Sequence, residues 1–456
     1  MTQIETYITG HKDQFVEDLK AWLRIPSIST APEHNGDVLR AAEYAVEQLK
    51  QLGIKQAELI PTQGHPLVYG EWLQATGKPT LLIYGHYDVQ PVDPIELWES
   101  APFEPTIRNG NIYSRGAADD KGQVMLVLKA LETLMSVNGG LPINVKVLLE
   151  GEEEAGGESI EHYIKTYPER LSCDAAFICD THMPSTEIPA LITGLRGIIY
   201  TEVEVHGARG DLHSGTYGGV APNPLHALAI IISRLKDADG HIHIPGLFDN
   251  YQKPKHEEKE FWEQDPLHMH EAFLHEMGVS QLSGELEYPP LERVSSRPTL
   301  EVHGITGGFT GEGAKTVIPA VAKAKISLRL PPDLQLKSQE VFELFKKAVA
   351  EVAPTDVTVN VINLHGGEGV LVASDTQVMQ AASAALEEVY GKSPVYLREG
   401  GSIPIAALFD EILNVPVVLM GFGLPDDNLH APNEKYALSQ FFNGIRTVVS
   451  FLQKLA

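Results

Sequence analysis

His86, Asp88, the glutamates between 150 and 154, Asp180 and His430 are residues of types that can hold cations or move protons, and each follows an apolar run. Thr80-Leu-Leu-Ile-Tyr84 leads into Gly85-His86-Tyr87-Asp88, and Val145-Lys-Val-Leu-Leu149 into Glu150-Gly-Glu-Glu-Glu154. Ala175-Ala-Phe-Ile-Cys179 leads into Asp180, and Val415 to Met420 leads through a Gly-rich turn to His430. Imidazole and carboxylate together suit Zn²⁺, and also Mn²⁺ or Co²⁺. One histidine after a strand carries little information. Two, with several carboxylates at the same end of four segments, read as a metal site.

Between the first two segments lies Tyr113-Ser-Arg-Gly-Ala-Ala-Asp119-Asp120-Lys-Gly122, followed by the apolar helical stretch Gln123 to Met135. An acidic pair at a helix mouth can cap it, since carboxylates satisfy the first N–H groups. Its position between two ligand-bearing strand ends favours a carboxylate that bridges cations. His86 and Asp88 are two apart and face one side of an extended segment. That spacing suits His86 as ligand and Asp88 as the group orienting its imidazole. Glu152, Glu153 and Glu154 read alone are a solvated acidic run. After a buried strand they would repel and desolvate without a cation, so one is expected to coordinate and a neighbour to act as general base.

Positioning such groups calls for a particular scaffold. Short apolar runs bounded by turn residues are strands of a parallel sheet buried on both faces, whose ligands gather beyond the carboxyl ends. Residues 1 to about 190 alternate helical and strand patterns. Beyond Gly194 the pattern changes. Ile199 to Val205, Ala322 to Leu330 and Val357 to Val361 alternate apolar with polar, as strands with one wet face do. Leu225 to Leu235 and Ser338 to Val352 are the helices expected to cover them, the latter through Val341, Leu344, Phe345, Ala348 and Val352. After about His365 the buried α/β pattern returns, with a helix from Asp375 to Tyr390. The expected fold is α/β. A mixed, mostly parallel catalytic domain with helices on both faces spans 1–190 and 367–456, and an α+β (ferredoxin-like) lid or dimerisation domain at 191–366 is inserted into it. Residues 246–297 are Pro- and charge-rich, helical in pattern and without an assigned role.

Composition excludes some classes of function. With 35 Lys and Arg against 61 Asp and Glu, the net charge of −26 offers no basic footprint for nucleic acid or an anionic membrane. Cys173 and Cys179 are too few for a disulfide framework and read as reduced core thiols. Ile4, Ile8, Phe15, Leu19 and Leu23 describe one amphipathic helix before Pro26 rather than a signal peptide, and the expected location is cytoplasmic. Three motifs fail on counting. Gly308 to Thr316 has Ala314 where a phosphate loop needs Lys, and Gly400-Gly-Ser402-Ile-Pro404 lacks the last glycine of a nucleophile elbow. His270-Glu271 with His275 misses the helical zinc spacing by one residue and reads as a surface helix.

His86-Tyr-Asp88, Ala118-Asp119-Asp120-Lys-Gly122, Gly151-Glu-Glu153-Glu154-Ala-Gly156 and Asp211-Leu-His213-Ser-Gly215 occur in that order, followed by Lys315-Thr-Val-Ile-Pro319 and Arg398-Glu-Gly-Gly-Ser402. The set resembles the dinuclear zinc or manganese metallopeptidases, the family of carboxypeptidase G, aminoacylase and carnosine dipeptidase, and most of all its carnosine-dipeptidase-like branch. The resemblance implies Asp119 bridging two divalent cations, His86 and Asp180 completing one, and Glu154 and His430 the other. Glu153 is then the general base and Asp88 the partner of His86. Glu152 departs from relatives with an apolar residue there, and His182, two residues past Asp180, is the competing ligand. Two cations about 3.5–4 Å apart acidify a shared water and polarise a scissile carbonyl.

The implied reaction is hydrolysis of dipeptides or very short peptides, because Asp rather than Glu at 180 is typical of the dipeptidase-like members. N-acyl-amino-acid deacylation or carboxypeptidase action is the alternative on the same ligands. Zn²⁺ is the expected metal. The resemblance further implies a cis Asp119–Asp120 peptide and a homodimer in which His213 reaches the other subunit's site. Arg329, Ser402 and His365 are expected to bind substrate.

Overall fold

The computed structural model describes residues 2–401 and 403–456. The chain divides into two compact units, one of residues 1–193, 372–397 and 408–456, the other of 194–371 and 398–407. Residues 191–193 thus group with the first unit, and 367–371 and 398–407 with the second, beside expected bounds of 1–190 and 367–456 for the first.

The first unit is built on a sheet that includes β1 (Glu58–Ile60), β2 (Leu67–Trp72), β3 (Thr80–His86), β4 (Asn144–Glu150), β5 (Ala175–Ile178), β6 (Ala190–Leu195) and β7 (Val417–Leu419). Their spatial order is β1-β2-β4-β3-β5-β7-β6. The middle four, β4, β3, β5 and β7, are mutually parallel, and antiparallel β2 and β6 flank them. These four are the ligand-bearing runs of the sequence. Nearly every residue in them is buried, as a parallel sheet with both faces covered requires. Helix Lys121–Asn138 packs on Leu438–Lys454, which packs on Gln377–Tyr390. Their apolar faces, among them Leu126, Ala130, Met379, Leu386, Phe441, Ile445 and Phe451, share one core with the strands. The N-terminal amphipathic pattern is two helices, Gln3–Gly10 and Lys12–Leu23, rather than one. His11 breaks it: its backbone leaves the helical region and its Nδ1 lies 2.8 Å from the Tyr7 carbonyl oxygen.

In the second unit four antiparallel strands lie in the order Thr299–Gly307, Val321–Leu330, Gly197–His206, Thr358–Gly367. Helix Pro224–Leu235 follows the first in sequence, and Ser338–Val352 precedes the last. This β-α-β-β-α-β path is ferredoxin-like. Gly197–His206 alternates buried and half-buried residues, its buried side meeting both helices. On Ser338–Val352 the buried stripe is Val341, Phe342, Phe345, Ala348 and Val349. The expected Leu344 and Val352 lie at its margin, because 3.6-residue periodicity fixes a stripe only to within about one position. Residues 246–297 hold three helices, His256–Gln264, Met269–Met277 and Pro290–Ser295, and Met269–Met277 is a surface helix. No helix among the described residues is long and apolar enough to cross a membrane.

Candidate metal centre

The parallel strands deliver their ends to one place. His86 closes β3, which lies between β4 and β5, so the segments after those two strands flank it. Asp119 comes from the loop before helix Lys121–Asn138. Glycine is needed where that loop turns into the helix, since a Cβ on Gly122 would overlap the Ala117 carbonyl oxygen. Gly85 is equally constrained, by Val124 and the Asp120 carboxylate. Asp120 sits at the helix N-cap but makes no capping bond; its carboxylate accepts the His86 N–H at 3.2 Å. The Asp119–Asp120 peptide is cis.

Two clusters result, and they share Asp119. His86, Asp119 and Asp180 offer ligand atoms within 4.8 Å of one another, as do Asp119, Glu154 and His430. One Asp119 oxygen lies 3.0 Å from His86 Nε2, the other 2.8 Å from His430 Nε2. Asp180 approaches His86 Nε2 to 3.8 Å, and Glu154 approaches His430 Nε2 to 3.3 Å. His182 belongs to neither cluster. The Asp88 carboxylate stands 3.3 Å from His86 Nδ1, on the far side of that ring from Asp119. It also accepts the N–H groups of Glu153 (3.3 Å) and Glu154 (3.1 Å), which ties the glutamate turn to the imidazole.

Glu152 points elsewhere. Its carboxylate accepts the N–H groups of His65 (2.8 Å) and Ser159 (3.1 Å), so of the three glutamates only 153 and 154 face the clusters. Two groups lacked a clear sequence signal. The Gln90 amide donates to Glu154 at 2.6 Å, and buried Glu434 braces the Asp119 loop.

The charge balance fits cations. Burial raises the carboxyls of Asp180, Glu153 and Glu154, and neighbouring carboxylates push further, taking Glu153 to about 8. Asp119 goes the opposite way, because hydrogen bonds from His430 and His86 outweigh its burial. Those to Asp119 and then Glu154 lift His430 to about 10. Negative charge exceeds the two imidazoles that face it, and divalent cations at the two clusters would compensate it.

The other expected residues lie in the second unit. His213 is exposed and pairs in a short ladder with Val317, so the 211–215 and 315–319 motifs run side by side. Arg329 is half-buried. The His365 ring stacks on Tyr200, whose other neighbour is His303, each at 5.1 Å between centroids. Burial and then Arg329 lower the His365 pKa. Ser402 lies outside the described residues.

Residues 82–454 match the description "Peptidase family M20/M25/M40". The chain belongs to that family. It is an enzyme, a peptidase whose family works with divalent metal ions, and its two clusters are candidate sites for them. The Cys-Gly metallodipeptidase dug1 of Schizosaccharomyces pombe is 34% identical over 98% of this chain and 97% of that protein. The solved structure of human carnosine dipeptidase 1 superposes with a TM-score of 0.85 at 30% identity, covering 100% of this chain and 99% of that one. Sso-CP2 from Sulfolobus solfataricus, described as a metallo-carboxypeptidase, gives 0.86 at 33% identity, covering 97% and 99%. The family member described here therefore resembles both dipeptidases and a carboxypeptidase.

Proposed function

We propose that this chain hydrolyses the peptide bond of dipeptides or very short peptides, with two divalent cations, Zn²⁺ foremost and Mn²⁺ or Co²⁺ as alternatives. The observation that carries the reading is one carboxylate, Asp119, presenting an oxygen to each of two ligand clusters. His86 and Asp180 would hold one cation and Glu154 and His430 the other, with Asp119 contributing to both. When bound, the cations polarise the scissile carbonyl and acidify the attacking water. Glu153 takes the proton of that water and delivers it to the leaving nitrogen. Asp88 keeps the His86 ring oriented through Nδ1 and keeps the glutamate turn against it.

The first unit is the catalytic domain in this reading, and the second a lid through which two chains pair. His213 of one chain then completes the other's site by donating to the oxyanion. Arg329 holds the substrate carboxylate, and Ser402 and His365 also bind substrate. The two unpaired thiols suit a reducing compartment such as the cytoplasm.

Dipeptidase names among the relatives support the substrate class. The likeness to a carboxypeptidase at 33% identity keeps a second reading, carboxypeptidase or N-acyl-amino-acid deacylase on the same site. Metal-reconstituted protein tested on dipeptides, tripeptides and N-acetylated amino acids, with release of free amine followed, separates them. Highest kcat/KM on dipeptides is expected. Preference for N-acetylated substrates or longer peptides would move the chain to the second reading.

A further inference from the structure

Glu434 is fully buried and belongs to neither ligand cluster. Its carboxylate is nevertheless saturated. Oε2 accepts Arg115 Nη1 at 2.7 Å and the Gly116 N–H at 3.0 Å, and Oε1 accepts the N–H groups of Ala118 at 2.9 Å and Asp119 at 3.2 Å. Three of these four donors are consecutive or near-consecutive peptides of the loop that ends in Asp119. The fourth, Arg115, is itself buried and anchored through Nη2 to the Pro91 carbonyl at 2.9 Å.

The segment carrying Glu434 is equally constrained. Asp427 accepts the Leu424 N–H at 2.7 Å and the Lys435 ammonium at 3.2 Å, and Lys435 N–H returns to the Asp427 carbonyl at 3.0 Å. Asn433 accepts the Glu99 N–H at 2.8 Å and donates to the Leu97 carbonyl at 2.9 Å. His430 and Glu434 thus lie on one segment that these bonds pin at Asp427, Asn433 and Lys435. One presents an imidazole to Asp119, the other grips the backbone from which Asp119 projects.

Burying a carboxylate costs several kcal/mol unless its lone pairs are satisfied, and a core position needing only volume is filled better by an apolar side chain. What a carboxylate adds at 434 is direction, for it fixes the orientation of the peptides at 116, 118 and 119. A bridging ligand needs that direction more than any other ligand, because its two oxygens must aim at two cations about 3.5–4 Å apart. A small tilt of the loop degrades both bonds together.

We propose that Glu434 is the positioning residue of the bridging carboxylate, setting Asp119 for both cations at once. The proposal rests on the dinuclear reading above. The test is titration of metal-free full-length protein with Co²⁺ against a chromophoric chelator, read as two binding constants and the Co²⁺ absorption spectrum. In Glu434→Gln one carboxylate oxygen becomes an NH₂ group that faces N–H donors. Both constants should fall by about 10–100-fold, the usual scale for disturbing a group behind a ligand, with the spectrum altered and circular dichroism unchanged. Unchanged constants and spectrum in a folded variant, whatever its melting temperature, would reduce Glu434 to a structural residue and overturn the proposal. So would the loss of one constant only. If the Gln variant does not fold, Glu434→Asp keeps the charge facing Arg115 and shortens its reach by one methylene. The same joint weakening is expected there, and its absence is equally fatal. Wild-type protein taking up fewer than two ions would instead remove the dinuclear reading, an outcome seen before any variant is made.

Discussion

Glu153 is protonated at neutral pH in the cation-free protein, since burial outweighs the pull of His86 and carries it to about 8. His430, held by Asp119 and Glu154, is protonated up to about 10. Both groups are raised, so the cation-free state holds protons at pH 7 that entering cations displace. Apparent metal affinity should therefore climb as pH rises through neutrality and level off once both protons are gone. Competition titrations at several pH values, with heat of binding compared between buffers of different ionisation enthalpy, measure the protons released. A pH-independent affinity would contradict the raised values. Replacing Glu153 by Gln should leave two ions bound and cut turnover by about 10²–10⁴-fold, whereas Glu154→Gln should weaken one ion. Exchanged phenotypes would shift the register of the glutamate turn by one. At this scale the sequence was informative because ligand types are few and the ends of apolar runs mark where they collect. Gln90 and Glu434 stayed hidden, since amides and lone carboxylates serve too many purposes for spacing alone to single them out.

Strands and helices were legible wherever burial imposes a period. The four apolar runs could be read as β3, β4, β5 and β7, and the alternating runs of the second unit as antiparallel strands, because side-chain direction repeats every two residues. Local chemistry that competes with periodicity was harder to read. His11 splits the first amphipathic stretch by drawing its ring to the Tyr7 carbonyl, which no hydrophobic pattern records. Glu152 is a similar case, an acidic residue in an acidic run whose work is to hold two backbone N–H groups, one at the 62–65 turn and one at the start of helix Glu158–Thr166. Glu152→Ala should destabilise the protein by about 1–3 kcal/mol through those two orphaned donors, with metal content intact. Urea denaturation alongside metal analysis checks this; loss of an ion would place Glu152 among the ligands.

For the whole molecule, the decisive question is whether one chain is enough. The second unit exposes Val220 (81%), Ile305 (55%) and Leu364 (47%). In the dimer proposed here, His213→Ala keeps its metals and loses about 10²–10³-fold in turnover, the scale of one oxyanion donor. Mixing it with Glu153→Gln chains should return part of the activity, since one hybrid site then holds both intact groups. A fully active His213 variant, or an active monomer by light scattering, would remove the trans role.

The place of β7 within the sheet has a consequence in time. Val417–Leu419 lies between β5 and β6, strands made more than two hundred residues earlier, and His430 follows it. During synthesis from the N-terminus, three of the four parallel strands emerge with a slot beside β5 that only the last stretch of chain fills. Neither the sheet nor the second ligand cluster can be complete until then. A nascent or truncated chain ending before residue 417 is thus an open sheet edge carrying half a metal site, exposed to pairing with the wrong strand. Such a chain should depend on chaperones until residues 417–430 arrive.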